Sequence, residues 1–391
     1  MPQQIQQAQM SLYWFQKDFD NKLPLSKIMK SVTALSIVSR VTGFQLFTVD
    51  VTKGQARVNL IDFVLIFLSV CMNCIINVTF WISRYNPGIH GIAVMKYSLP
   101  ILMYFNLLGN MFGMTWIFIH RAKIMKILQL FSEIDAELMK IGERIDHKRN
   151  KRNLKILVIV PIFLTTFVTF MCGMFHEVDH FRLDFLLKMF SLWIFVCTFV
   201  MYYHLVVGVS GVSQRFEKIC KTTMKISPQS EKTLYKIQEI HVKIADAIDI
   251  YNKVYGPLMI FYFGDAFCWL CISIFALAMF PNTNRSTICT LVCTVSHCFT
   301  TIATSFFIVN LAENVANQRK NLIKNSYKLI NTFSDNLDFG TRILHFQSQV
   351  MNVKFVFSCG FFDINWKFVF KFFSAGFMYF VILVQFERTI S

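Results

Sequence analysis

The chain has 391 residues, 54% of them apolar and 16% aromatic, with 43 Phe and a formal net charge of +16. So apolar a composition excludes an ordinary soluble domain. The charge argues against nucleic-acid binding, because it is confined to gaps beside apolar runs, where membrane topology and anionic inner-leaflet lipid account for it.

In chain order, residues 1–25 are polar and Gln-rich and lack the basic-then-apolar start of a cleavable signal peptide. The first span is therefore expected to act as the insertion signal. Residues 26–49 are modestly apolar but broken by Lys30, Arg40 and Gly43. They predict a helix packed at the inner interface, not a crossing. Seven apolar runs follow, at about 60–83, 93–119, 154–175, 185–212, 255–280, 288–312 and 366–387. Each is long enough for a helix to cross roughly 30 Å of hydrocarbon at about 1.5 Å per residue.

Thirty of the 39 Lys and Arg lie in four regions, 1–59, 120–153, 213–254 and 313–365. The alternate gaps hold one each, Arg84, Arg182 and Arg285. Basic loops stay in the cytoplasm. The expected architecture is therefore an all-α, seven-transmembrane helical protein with its N-terminus inside and its C-terminus outside. A G-protein-coupled receptor is inserted the other way up. The exterior gaps 84–92, 176–184 and 281–287 are too short for an ectodomain. Anything sensed outside must enter among the helices.

The long gaps carry helical stripes. Ile127, Phe131, Ile134, Leu138, Ile141 and Ile145 recur at steps of three or four. Leu234, Ile237, His241, Ile244, Ile248, Tyr251 and Tyr255 run on into the fifth span. Val315, Leu322, Ile323, Ile330 and Phe333 form a weaker stripe after the sixth. Spans four, five and six are thus expected to project below the bilayer and pack there as an anchor bundle. Helices lying along the inner leaflet are the alternative.

The C-terminal region carries the most specific pattern. Gly360-Phe361-Phe362-Asp363-Ile364-Asn365 precedes the last span, which ends Tyr379, five apolar residues, Gln385-Phe386. This resembles the insect gustatory receptor family, whose last span ends Thr-Tyr, five apolar residues, Gln-Phe. Met378 stands where the family has Thr, so a polar contact is lost there, and altered gating is expected. The detailed match covers about the last 35 residues; elsewhere the layout agrees.

The resemblance implies a ligand-gated, non-selective cation channel in the plasma membrane of sensory neurons. It implies a homo- or hetero-tetramer around a central pore, surrounded by membrane lipid and opened by a small-molecule tastant. On that reading residues 1–59 form a cytoplasmic N-terminal segment. Residues 60–312 form a six-helix ligand-sensing region with cytoplasmic helical loops, and 313–391 a linker and the pore-lining seventh span. On a helix, Lys371, Ala375, Met378, Ile382 and Gln385 share one face. Apolar rings block ions by dewetting, and amides replace ion hydration. The resemblance places the gate near Met378, Ile382, Gln385 and Phe386. The alternative for Gln385 is a bond to a neighbouring helix.

Polar groups inside spans supply pocket candidates. Asp265 has Trp269 one turn on; it caps a cavity floor, pairs with a basic group, or bonds an adjacent helix. Thr294, His297, Thr301 and Thr304 form a stripe facing either a wet cavity or a neighbour. Tyr97, Tyr104 and Trp193 suit pocket walls or ordinary packing. With few acids in the outer halves, the candidates lean toward a bitter or weakly polar tastant, with a sugar as alternative.

No metal or cofactor is expected: Cys71/Cys74 and Cys268/Cys271 have CxxC spacing but no further ligands. An enzyme is disfavoured because no His/Cys/acid cluster gathers at one depth. A transporter is disfavoured by the lack of an internal repeat. A metabotropic receptor coupled to an intracellular transducer is the remaining alternative, opposed by the charge partition.

Overall fold

The computed structural model describes residues 28, 33–42, 48–50, 55–59, 93–148, 181–227, 230–279, 285–333 and 336–390, with isolated positions between 61 and 75 and between 152 and 167. In chain order the elements are α1 (Thr33–Val41), β1 (Thr48–Asp50), β2 (Gln55–Arg57), α2 (Ala93–Ile119), α3 (Arg121–Lys140), α4 (Phe181–Thr223), α5 (Glu231–Met279), α6 (Arg285–Thr332), α7 (Leu337–Asn352) and α8 (Trp366–Ile390). Among the described residues the fold is helical apart from the β1–β2 hairpin, which pairs Thr48 with Arg57, and an isolated Ser358–Asp363 bridge.

Helices cover the predicted runs at 93–119 (α2), 185–212 (α4), 255–280 (α5), 288–312 (α6) and 366–387 (α8). Four of them, α4, α5, α6 and α8, contain stretches long and apolar enough to cross a membrane. Of the runs 60–83 and 154–175, the described positions are helical, and the remainder lies outside the described residues.

Helices α4, α5 and α6 are 43, 49 and 48 residues long. At about 1.5 Å per residue each reaches roughly 65–75 Å, more than twice the hydrocarbon thickness. They do not stop where the apolar runs stop, because the stripes carry the burial onward. Phe131, Ile134, Leu138, Leu234, Ile237 and Ile244 are all buried. So are Phe216 and Ile219 on α4 and Val315 and Leu322 on α6. The main packed pairs are α3 with α5, α4 with α5 and α6, α5 with α6, α2 with α5, α7 with α6, and α8 with α5 and α6.

Two details differ from the sequence reading. The interfacial helix expected over 26–49 is shorter: α1 ends at Val41, and Thr48–Asp50 is a strand. Arg40, within α1, joins it to the start of the next run through an ion pair to the buried Asp62 at 2.8 Å. The stripe ending at Phe333 is followed by a separate helix. Asn336 caps it, its side chain accepting the Phe339 N–H at 3.1 Å. The buried side chains of α7 are Phe339, Ile343, Phe346, Gln347 and Val350.

The basic end of the bundle contains a buried ion pair. Arg215 on α4 donates to Asp135 on α3 at 2.8 Å, and both side chains are about one-twentieth exposed. The guanidinium also donates to the Gly211 carbonyl at 2.8 Å and lies over the Phe131 ring. Removing one partner strands the other charge in a desolvated site. Asp135→Ala should cost about 3–5 kcal/mol, read as a lower thermal unfolding midpoint of the full chain in detergent. Asp135→Leu combined with Arg215→Met should lose clearly less.

Candidate functional site

Two constructions lie at the heart of the helical packing. The first is a buried polar and aromatic seam between α2, α4, α5 and α6. Asp265 and Trp269 stand one turn apart on α5, at 3% and 1% exposure. Both oxygens of the Asp265 carboxylate lack a hydrogen bond of normal geometry. Asn106 and Trp269 lie near enough to act on its charge but do not close that geometry. No basic group pairs with it among the described residues. Asn106 accepts from Thr198 of α4 at 3.3 Å.

The Trp269 ring meets His297 of α6 edge-on, centroids 4.5 Å apart, and Phe199 of α4 reaches the same imidazole at 5.9 Å. One turn along α6, Thr301 donates to the His297 carbonyl at 2.9 Å. Further along, Tyr262 donates to the Thr301 carbonyl at 2.9 Å and bonds the Thr304 hydroxyl at 2.8 Å. Tyr202 of α4 donates to the Thr304 carbonyl. The Tyr203 hydroxyl is buried with no partner among the described residues.

The second construction is the loop that launches α8. Asn252 on α5 grips it twice, donating to the Val356 carbonyl at 2.9 Å and accepting the Ser358 N–H at 3.1 Å. Gly256, one turn on, is where the loop backbone comes closest: a Cβ there would lie 3.2 Å from the Cys359 Cα and 3.3 Å from the Ser358 oxygen. The loop turns through Gly360 at φ +91, a left-handed conformation that side chains disfavour. The Cys359 N–H returns to the Phe362 carbonyl at 3.2 Å, and the Ile364 N–H to Phe357 at 2.8 Å. Asn365 then caps α8, its side chain accepting the Phe368 N–H at 2.9 Å.

Helix α8 has two opposite faces. Val369, Gly376 and Glu387 are buried and Phe372, Phe373 and Phe380 half-buried toward α5 and α6. Tyr379 meets Phe267 edge-on at 5.5 Å. At 3.6 residues per turn, Lys371, Met378, Ile382 and Gln385 fall on the far side, and all four are exposed. Phe386 is also exposed.

The sequence candidates thus separate. Asp265, Trp269, His297 and Thr301 come together. Trp193 is half-buried against the apolar core of α4, its indole N–H unpaired among the described residues. Tyr104, two residues from Asn106, is half-buried on the other side of α2. The Tyr97 side chain lies outside the described residues. Gly360, Phe362 and Asp363 belong to the α8 launch loop, with Ser358 bridged to Asp363 and Phe362 stacked on Phe368 at 4.0 Å. Phe361 is its exposed tip, at 86%. Sequence reasoning missed Asn106, Thr198, Tyr202, Tyr262 and Asn252. Asn106 and Asn110 sit one turn apart inside an apolar run, a signal as strong as Asp265.

The profile of the 7tm chemosensory receptor family matches residues 33–390. A comparison with curated proteins returned no match. Among solved structures, the chain is similar to the insect olfactory receptor OR5 from Machilis hrabei. The TM-score is 0.63 at 15% identity, covering 92% of this chain and 99% of that one. The same receptor in complex with eugenol matches with a TM-score of 0.65 at the same identity and coverage.

The loop's grip makes a local prediction. Asn252→Ala removes both side-chain bonds, each worth about 0.5–1.5 kcal/mol. Amide hydrogen exchange of the full chain should show faster exchange across residues 354–365, with the α4 and α6 segments at 200–223 and 305–325 unchanged. Equal protection of the loop in the variant would mean that Asn252 does not hold it.

Proposed function

The chain belongs to the 7tm chemosensory receptor family, and on that premise we propose that it is a gustatory receptor: a ligand-gated, non-selective cation channel opened by a small tastant. It sits in the plasma membrane of sensory neurons, N-terminus inside and C-terminus outside, as a tetramer of identical or related subunits. Residues 1–59 form its cytoplasmic N-terminal segment and 60–312 its sensing region. Residues 313–391 supply the linker and the pore helix.

The observation that carries this reading is the orientation of α8. Met378, Ile382 and Gln385 point away from the described residues of their own chain, although two of the three are apolar. Copies arranged around an axis would turn these faces into apolar rings followed by a ring of amides. Such rings dewet a closed path and replace ion hydration in an open one. Helix α7 supports assembly at the other end: Leu337, Leu344 and Met351 are exposed at 82%, 51% and 50%. Their seven-residue spacing is that of a helix seam awaiting a partner.

The ligand site is the seam around Asp265, Trp269, His297 and Thr301. Its surfaces are aromatic rings, and its charged group is the buried Asp265 carboxylate, with Asn106 and Trp269 beside it. It therefore suits a small ring system bearing a hydroxyl, which donates to Asp265 while the ring meets Trp269 and His297. The eugenol complex of the Machilis hrabei receptor supports that ligand class, as does the lean toward bitter or weakly polar compounds. A sugar is the second reading, favoured by Asn106 and Thr198 beside the carboxylate. A transducer-coupled receptor would give no use to the outward face of α8.

Coupling follows the side chains. From His297 and Thr301 the hydrogen bonds run to Tyr262 and on to Ser305 at 3.2 Å. The next residue, Phe306, touches Trp366 and Phe373 of α8 at 5.6 and 5.7 Å. A ligand that shifts the seam thus moves the base of the pore helix.

Whole-cell recording from cells expressing the chain, screened with sugars and bitter compounds, tests this. An inward cation current is expected. Asp265→Asn should raise the half-maximal tastant concentration about tenfold or more without moving the reversal potential. Ile382→Ala or Gln385→Ala should alter conduction or selectivity. Unchanged conduction and selectivity with charged side chains at both positions would overturn the pore assignment.

A further inference from the structure

The inner end of the proposed pore face carries charge. With 3.6 residues per turn, Lys367, Lys371, Met378, Ile382 and Gln385 fall within an arc of about 60° on α8. All five are exposed. The flank beside that arc is aromatic, with Trp366, Phe370 and Phe377 exposed on it. A lysine that served only to anchor α8 among lipid headgroups would sit as well on that flank, and both lysines of the helix lie off it. Lys371 is roughly 10 Å inward of Met378 and roughly 21 Å inward of Gln385 at about 1.5 Å per residue.

Nothing on α8 neutralises the pair. The only carboxylate of the helix is Glu387, buried at its far end. Asp363, the nearest acid along the chain, lies in the launch loop, and neither lysine makes an ion pair among the described residues. Repeated around an axis, the two lysines become rings that raise the potential at the inner mouth, where low-dielectric walls focus it. Cations entering from the cytosol meet these rings first. Cations entering from outside meet them only after passing Gln385. A divalent ion carries twice the charge, so its local concentration falls as the square of the monovalent factor. Salt screens such a field over about 8 Å at physiological ionic strength.

Resting on the pore reading above, we infer that Lys367 and Lys371 form a positively charged inner mouth that limits outward cation flow and favours monovalent over divalent cations. Met378, Ile382 and Gln385 open and close the path, and the lysines set the valence that crosses and the easier direction. Among alkali cations the channel stays indifferent, because the lysine charge acts on ionic valence and not on ionic size.

The test is recording from inside-out patches of cells expressing the full chain, in symmetric caesium chloride, with the channel opened by whichever compound of the sugar and bitter panel evokes a current. Inward current should exceed outward current at equal and opposite voltages by about threefold. Lys367→Gln combined with Lys371→Gln should bring that ratio to about one. With calcium chloride in the pipette, the same double variant should raise calcium permeability relative to caesium about threefold. Lys371→Arg should keep the wild-type ratio. Raising the salt on both sides about tenfold should flatten the wild-type ratio and leave the double variant as it was. A wild type with a ratio of about one overturns the inference, as does a double variant that rectifies like the wild type. If substitutions at Ile382 and Gln385 change conduction while these do not, the pore reading stands and the lysine assignment falls. If no panel compound evokes a current, or if charged side chains at Ile382 and Gln385 change nothing, the pore reading falls and takes this inference with it.

Discussion

Every backbone N–H and C=O inside a bilayer must find its partner within the protein. This constraint shapes the molecule more than any side-chain contact. Among the described residues it is met by helices that run without interruption from the apolar half into the basic half. Helices α4, α5 and α6 are single rods across both. A displacement at one end is therefore carried to the other rather than absorbed in a loop. The exception is Pro257 inside α5, which removes one helical hydrogen bond. It stands beside Gly256 and one turn beyond Asn252, where the α8 launch loop is held. This weak point in α5 thus coincides with the attachment of the proposed pore helix.

The two constructions described above meet at α5. Its Asp265 and Trp269 serve the seam, its Tyr262 relays toward Ser305, and its Asn252 and Gly256 hold the loop before α8. Its Phe263 lies under both: it meets Phe362 and Phe368 edge-on at 5.8 and 4.9 Å. On the proposed mechanism α5 is the element that reads the ligand and positions the gate. The Gly360–Asn365 block then has a structural meaning. Its glycine allows the left-handed turn, Phe362 stacks on Phe368, and Asn365 caps the helix.

Much of this was legible in the sequence, for physical reasons. Apolar length predicted the helices at 93–119, 185–212, 255–280, 288–312 and 366–387. Periodicity predicted their extensions, because Ile237, Ile244, Val315 and Leu322 recur on one face only if the helix continues. The Asp265–Trp269 and His297–Thr301 pairs were visible as polar groups one turn apart. That they form one seam was not visible, since Trp269 meets His297 only through tertiary packing. The β1–β2 hairpin was hidden because three-residue strands carry no readable alternation. Helix α7 was hidden because its start depends on the Asn336 cap rather than on a change of composition. The grip of Asn252 on residues more than a hundred positions away has no local signature at all.

The account rests on how the chain is threaded. The direct measurement is to place one epitope at the N-terminus and another after Ser391 and compare antibody binding on intact and permeabilised cells. The account predicts that the C-terminal epitope binds antibody on intact cells and that the N-terminal one binds only after permeabilisation. A C-terminal epitope reached only after permeabilisation would contradict it.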